Sequence, residues 1–386
     1  MSDLLMVKRK TDSKDTNLSF FKILIFTLFS FLLFFGGFGT EIMFWNVMGV
    51  CFGIIMFLIL VYKKVSIKLP PHFKVFSIFL LFAMLSLDWT KHLITSSEFL
   101  FLFIGGWLFW LVFYNLKSHI NFPIENIILL LGLIFGGLFV SRFIWNWDST
   151  VGLSLFFTPT TIGSPHNHIG DFWAVVSVVI FYKLYKNPKK YFLWLFIPLA
   201  IFFMAMSLSR AAYLALFSGI FFLAYKGGAF KKLYRYKYIV TVLVILFLSL
   251  LFLVATQKSI LFSRPYFIHS LVGLKYYPFG VGLGNFGFIS IDPRTHILGL
   301  DQTSIYTHNI VLEMISGVGI FGLIFAYWLF KVCKDILSGS RFLNNRNFVY
   351  QAIFLTLTVN FLFDYTYFNS TMSWLWFISL ALSQKD

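Results

Sequence analysis

Arg210 stands in Ser207-Leu208-Ser209-Arg210-Ala211-Ala212-Tyr213, where one apolar run ends and the next begins with almost no loop between. A guanidinium is a planar fork of donors that fits phosphate oxygens two at a time. An arginine at an apolar boundary marks a site unless its side chain merely snorkels to lipid headgroups. Arg264, in Ser263-Arg264-Pro265-Tyr266, repeats the residue type farther on, and Arg142, Lys275 and Arg294 are further cations of the same outer side. Two or three of these converging on one spot would make a pyrophosphate seat. His308-Asn309 opens another apolar run. Such a histidine can accept a proton from a hydroxyl as general base, although a capping or interface role is commoner for a lone histidine at a helix start. Glu313 lies one turn on, sharing the face of Asn309, and if buried it needs a partner such as an arginine or histidine.

Two other motifs carry less. His166-Asn167-His168 with Asp171 has imidazole and carboxylate donors that suit zinc or manganese. With no distant ligand set by the sequence, a polar helix start after Ser164-Pro165 is favoured, and contact with substrate lies between the two readings. Gly282-Leu283-Gly284-Asn285-Phe286-Gly287 matches the dinucleotide fingerprint by letters but lacks the strand and helix that give the fingerprint its meaning. Its glycines read better as a tight turn that lets backbone approach a helix or ligand closely. There is no phosphate-binding loop of the Walker type and no Asp-x-Asp pair. No metal and no cofactor is therefore expected.

The elements that must position these residues are apolar. Of 386 residues, 59% are apolar and 12% charged, and the mean hydropathy is +0.83, so the chain is read as an integral membrane protein. The net charge of +16 then reads as a topology signal before a nucleic-acid one. Cys51 and Cys333 supply neither a disulfide framework nor a metal quartet. Twelve apolar segments predict helices at about 20–38, 42–61, 75–87, 98–114, 126–145, 171–185, 191–208, 211–225, 238–256, 310–330, 348–363 and 372–382. Several are short, 75–87 and 372–382 among them. With both termini cytoplasmic, 24 of the 31 basic residues fall on or at the inner side and seven outside: Lys91, Arg142, Arg210, Lys258, Arg264, Lys275 and Arg294. Such an alternating bias is what the positive-inside rule requires. The expected organisation is one membrane domain over 1–386, with a cytoplasmic tail at 1–19, an outer loop at 146–170 and a large outer loop at 257–309 carrying the site. The first apolar run is long and lacks a cleavage site, so it reads as a retained helix and not a signal peptide.

Several of these pieces together resemble the O-antigen polymerase and O-antigen ligase family of bacterial envelope glycosyltransferases. The resemblance covers roughly 160–330: Gly163-Ser164-Pro165-His166-Asn167-His168, Ser207-Leu208-Ser209-Arg210-Ala211-Ala212, Arg264, the glycine loop from Pro278 to Phe286, and Thr307-His308-Asn309 followed by Gly317-Val318-Gly319-Ile320-Phe321-Gly322. It implies an all-α polytopic bundle of the lipid-sugar glycosyltransferase (GT-C-like) type in the bacterial inner membrane, with its site on the outer face. The implied activity polymerises undecaprenyl-pyrophosphate-linked repeat units of O-antigen, capsule or exopolysaccharide, without metal. Arg210, Arg264 and His308 match the family's essential arginines and histidine. His166, Asn167, His168, Asn309 and Glu313 would contact substrate, with Arg142, Lys275 and Arg294 added from charge and side.

The partners so implied are a glycan donor on undecaprenyl pyrophosphate, a glycan or lipid-linked acceptor, membrane lipid, and a flippase and chain-length regulator of the same pathway, with no nucleic acid. The nearest rival is a ligase that moves a finished glycan to lipid A core or another acceptor. A lipid-linked glycan flippase is the rival of another class, for which substrate groups near the midplane would be expected. A third uses an acidic base such as Glu41 or Asp88.

Overall fold

A backbone immersed in hydrocarbon must satisfy its own amides and carbonyls, and an apolar chain does so by coiling into helices. The computed structural model describes residues 30, 32–33, 42–117, 124–145, 166–207, 209–227, 266–296, 303–338 and 347–384. Among these residues every regular element is helical and there is no strand. In chain order the helices are α1 (Ile42–Tyr62), α2 (Phe73–Leu85), α3 (Leu93–Leu116), α4 (Ile124–Trp145), α5 (His166–Lys186), α6 (Phe196–Ser207) and α7 (Arg210–Lys226). They continue with α8 (Tyr266–Tyr276), α9 (Phe286–Ser290), α10 (Ile310–Val318), α11 (Gly322–Ser338), α12 (Asn347–Phe363) and α13 (Ser370–Ser383). Ten of the twelve predicted segments coincide with these elements. The first lies almost wholly, and the ninth wholly, outside the described residues.

By length and composition four stretches are long and apolar enough to cross a membrane: Ile42–Tyr62, Leu93–Leu116, His168–Lys186 and Ile310–Ser338, the last of them broken at Gly319. They differ in what they face. In α3, 83% of the most apolar window is buried inside the protein, against 28% in α1, which leaves α1 an apolar flank suited to lipid. The core runs from α3 through α13 and α12 to α7 and α5, with α2 packed along α11. Trp110, Trp328, Trp374 and Trp376 are fully buried along it. The wall between α1, α3 and α13 closes because it lacks side chains where the indole needs room: a Cβ at Gly49 would sit 2.4 Å from the Trp374 ring.

The tenth predicted segment departs from expectation. A continuous helix over 310–330 is broken between α10 and α11 at Gly319, which has φ 64° and ψ −139°. A Cβ on Gly322 would lie 2.5 Å from the Cα of Ile315, seven residues earlier. Residues so spaced in a straight helix are about 10 Å apart along the axis, so α10 folds back on the first turn of α11. The bend frees carbonyls, and the Pro278–Asn285 segment takes them up. Val281 N–H donates to Ser316 O (3.0 Å) and Gly282 N–H to Gly317 O (2.8 Å), while Ile320 N–H donates to Pro278 O (2.9 Å). On its other side the segment is tied to the α2–α3 connection through Trp89 Nε1 to Phe279 O (2.9 Å) and Asn285 Nδ2 to Thr90 Oγ1 (2.7 Å). Gly282, at φ 94°, is packed so tightly that a Cβ would lie 2.0 Å from Thr90 Oγ1. The glycine run is thus a docked turn, in keeping with the close-approach reading of its sequence.

Besides contacts between helix interiors, such as Trp376 Nε1 to Thr358 Oγ1 (2.8 Å), polar contacts gather toward the two ends of the bundle. At the end predicted to be basic, His72 pairs with Asp335 (2.7 Å), Lys117 Nζ donates to Gln384 O (2.7 Å) and Lys183 Nζ to Asn126 Oδ1 (2.8 Å). At the opposite end Ser370 meets Asn46 (2.6 Å), Ser209 meets Asp171, and His308 meets Asp364.

Candidate functional site

Four helix ends build the polar cluster at that second end. At the start of α7, Ser209 is the N-cap, its Oγ accepting from Ala212 N–H (3.2 Å). The same hydroxyl donates to Asp171 Oδ1 in the first turns of α5 (3.2 Å). Arg210 is the first residue of α7 and is exposed. A cation there opposes the helix dipole, so it adds nothing to the helix; together with the free amides of that turn it suits an anion.

Asp171 is buried beside a second buried carboxylate, Asp364, which follows α12; Asn360 and Thr366 also approach it. Asp364 in turn faces His308, with Nδ1 3.6 Å from Oδ1, an ion-pair spacing slightly longer than a hydrogen bond. Around the imidazole stand aromatic rings. Tyr365 meets His308 edge-on (centroids 4.9 Å, 89°), stacks with Tyr306 (5.6 Å, 18°) and lies 5.6 Å from the His168 ring. Burial, and then the neighbouring Asp364 carboxylate, push the Tyr365 hydroxyl up to about 12, so it is a neutral donor at physiological pH.

His308 takes its place under constraint. Its φ is 53°, a left-handed conformation uncommon outside glycine. Both neighbours are locked. Thr307 donates to Glu313 Oε2 through N–H (2.9 Å) and Oγ1 (3.0 Å), and Tyr367 donates to the same oxygen (3.3 Å). Asn309 caps α10, its Oδ1 accepting from Val311 and Leu312 N–H (both 3.0 Å), while its Nδ2 donates to Leu362 O (3.0 Å). Glu313 and Asn309, expected to contact substrate, bond the residues on either side of the histidine and the helix that follows it. The partners of the buried Glu313 are hydroxyls and an amide, where an arginine or histidine was expected: Thr307, just before α10, and Tyr367, between α12 and α13, close on it.

The remaining expectations divide. His168 joins the cluster through Tyr365. Arg264 lies outside the described residues, and so do the side chains of Arg142, His166 and Asn167. Arg294 is taken up locally: its Nη2 meets Asp292 Oδ2 (2.7 Å) and Tyr277 Oη (3.1 Å), and this pairing holds the Asp292 carboxyl well below its usual range. Lys275 is exposed at the end of α8, 5.6 Å over the Tyr276 ring. Neither is brought to His308 by any contact described. Among the described residues no group of three or more His, Cys, Asp or Glu is arranged to hold a metal ion. Asp88 is exposed in the turn after α2, and Glu41 lies outside the described residues.

Asp364 and Tyr365 were missed by sequence reasoning, yet the signal was the one used for Arg210. In Phe363-Asp364-Tyr365 a lone charged residue ends an apolar run on the face where the other candidates lie. Chemically, the cluster holds an imidazole at ion-pair distance from a carboxylate with aromatic rings around it, and an exposed arginine at the start of α7 next to the Ser209 that bonds Asp171. Comparison of the chain with protein families, with curated proteins and with solved structures gives no match.

Proposed function

We propose that the protein is a glycosyltransferase that polymerises undecaprenyl-pyrophosphate-linked oligosaccharide repeat units. In this reading the chain is a GT-C-like bundle of about twelve spans in the bacterial inner membrane, basic end inward, with His308 and Arg210 at the outer face. The observation that carries it is the linked set Ser209, Asp171, Asp364 and His308, with Arg210 next to Ser209 in the chain, drawn from four helix ends to one end of the bundle.

The acceptor hydroxyl oxygen attacks the anomeric carbon of the donor, its proton passes to His308, and the bond from that carbon to the pyrophosphate breaks with the electron pair leaving on oxygen. Asp364 steadies the imidazolium that forms. Negative charge grows on the leaving pyrophosphate, so Arg210, with Arg264 as its expected companion, favours the transition state over the ground state. Tyr306 and Tyr365 supply faces on which sugar rings stack. The donor carries its own leaving group, so no nucleotide is needed.

The test is incubation of the purified full-length protein with a lipid-linked repeat unit, without metal or nucleotide, followed by sizing of the glycan. Chains of several repeats on the lipid carrier support the polymerase. Transfer only to a different terminal acceptor makes it a ligase, and movement of the lipid-linked glycan across vesicles without new bonds makes it a flippase.

A further inference from the structure

At the other end of α5 and α7, far along the helices from Asp171 and Ser209, a narrow groove, about 480 Å³ counting the space open to its surroundings, runs between the last turns of α5 and α7 and the first of α12. Its walls are apolar and aromatic, formed chiefly by Phe181, Tyr182, Leu223 and Phe348. Its lining residues include two lysines, Lys186 and Lys226, and no acid. Lys226 is buried, donates to Leu337 O (2.9 Å) and anchors the end of α11. Lys186 is exposed, with Nζ 4.7 Å over the Tyr182 ring.

An apolar slot with cations and no anion among its lining residues calls for an amphiphile whose tail is hydrocarbon and whose head is negative. The chain's own charge pattern says where such a molecule comes from: Lys183, Lys186, Lys189, Lys190 and Lys226 all belong to the end read as facing the anionic leaflet. We propose that this groove is a binding site for one anionic glycerophospholipid, an acyl chain lying between α5 and α7 and the phosphate held at Lys186. The site is independent of the transferase reading and requires only that the bundle sits in a bilayer.

The test is native mass spectrometry of the full-length protein in detergent, titrated with phosphatidylglycerol or with phosphatidylcholine of the same chains. Two variants are compared, Lys186→Gln, which removes the exposed charge, and Ala224→Trp, which fills the slot. Wild type should hold one phosphatidylglycerol in preference to phosphatidylcholine. Each variant should weaken that binding roughly fivefold or more, as expected for loss of a lysine near a charged surface or of the room for the chain. Equal retention of the two lipids by wild type overturns the proposal. A loss with Lys186→Gln but none with Ala224→Trp also overturns it, since binding is then to surface charge and not to a slot.

Discussion

The imidazole of His308 and the carboxylate of Asp364 face each other at 3.6 Å, one at the start of α10 and the other at the end of α12. A carboxylate so placed holds a ring nitrogen in orientation and stabilises the charge that arrives with a proton. His308→Gln is expected to lower glycan extension by about 10²-fold or more, the usual share of a general base, and Asp364→Asn by a smaller factor. Because the two act as one unit, adding Asp364→Asn to His308→Gln should cost little more. Turnover in the lipid-linked assay checks this; full additivity of the two losses would separate Asp364 from the histidine's role.

Arg210→Ala should abolish extension while membrane insertion and thermal stability stay near wild type, because the side chain is exposed and at the wrong end of a dipole to support α7. Arg210→Lys keeps the charge but loses the planar fork, so it should recover only part of the activity. Steady-state rates with purified protein decide it, and a fully active alanine variant would remove the anion seat.

Gly282→Ala should destabilise the fold. A residue with a Cβ at φ 94° costs about 1–3 kcal/mol in backbone strain alone, and here the Cβ would also meet Thr90 Oγ1 at 2.0 Å. Gly287→Ala is the control, since its nearest neighbour would be Ile305 Cα at 3.7 Å. Thermal unfolding in detergent should show a lower midpoint for the first and little change for the second.

Asp292 is held below the ordinary aspartate range by Arg294, so the pair stabilises the segment when the carboxyl is ionised. The contribution is present above the unfolded value, about 4, and is lost as pH falls through the lowered folded value. Hydrogen exchange of residues 286–296 should be flat from pH 5 to 8 once corrected for intrinsic rates, and should quicken in strong acid. Asp292→Asn should remove that acid dependence.

How far the sequence could be read follows from the range of each interaction. Arg210 and His308 were picked out by a local pattern, Arg210 standing between two apolar runs and His308 at the start of one. The turn at Gly280, Gly282 and Gly284 was legible because a left-handed backbone is written in glycine. Asp171 with Asp364 was not, since their meeting depends on α5 packing against α12 and no spacing in the chain encodes that. The need of a buried Glu313 for a partner was foreseeable, but that Thr307 and Tyr367 would meet it was not, since Tyr367 comes from a distant part of the chain. The break at Gly319 was hidden inside a hydropathic run that continues across it.

That break has a consequence for the histidine in a bilayer. His308 rides on α10, whose far end is joined to α11 by the Gly319 bend but bonded to the Pro278–Asn285 turn and through it to the α2–α3 connection. A spanning helix answers a change in hydrocarbon thickness by tilting. Ile320 N–H, beyond the bend, is bonded to Pro278 O of that same turn, so a lean of α11 acts on the turn that also holds α10 and not along one continuous helix leading to His308.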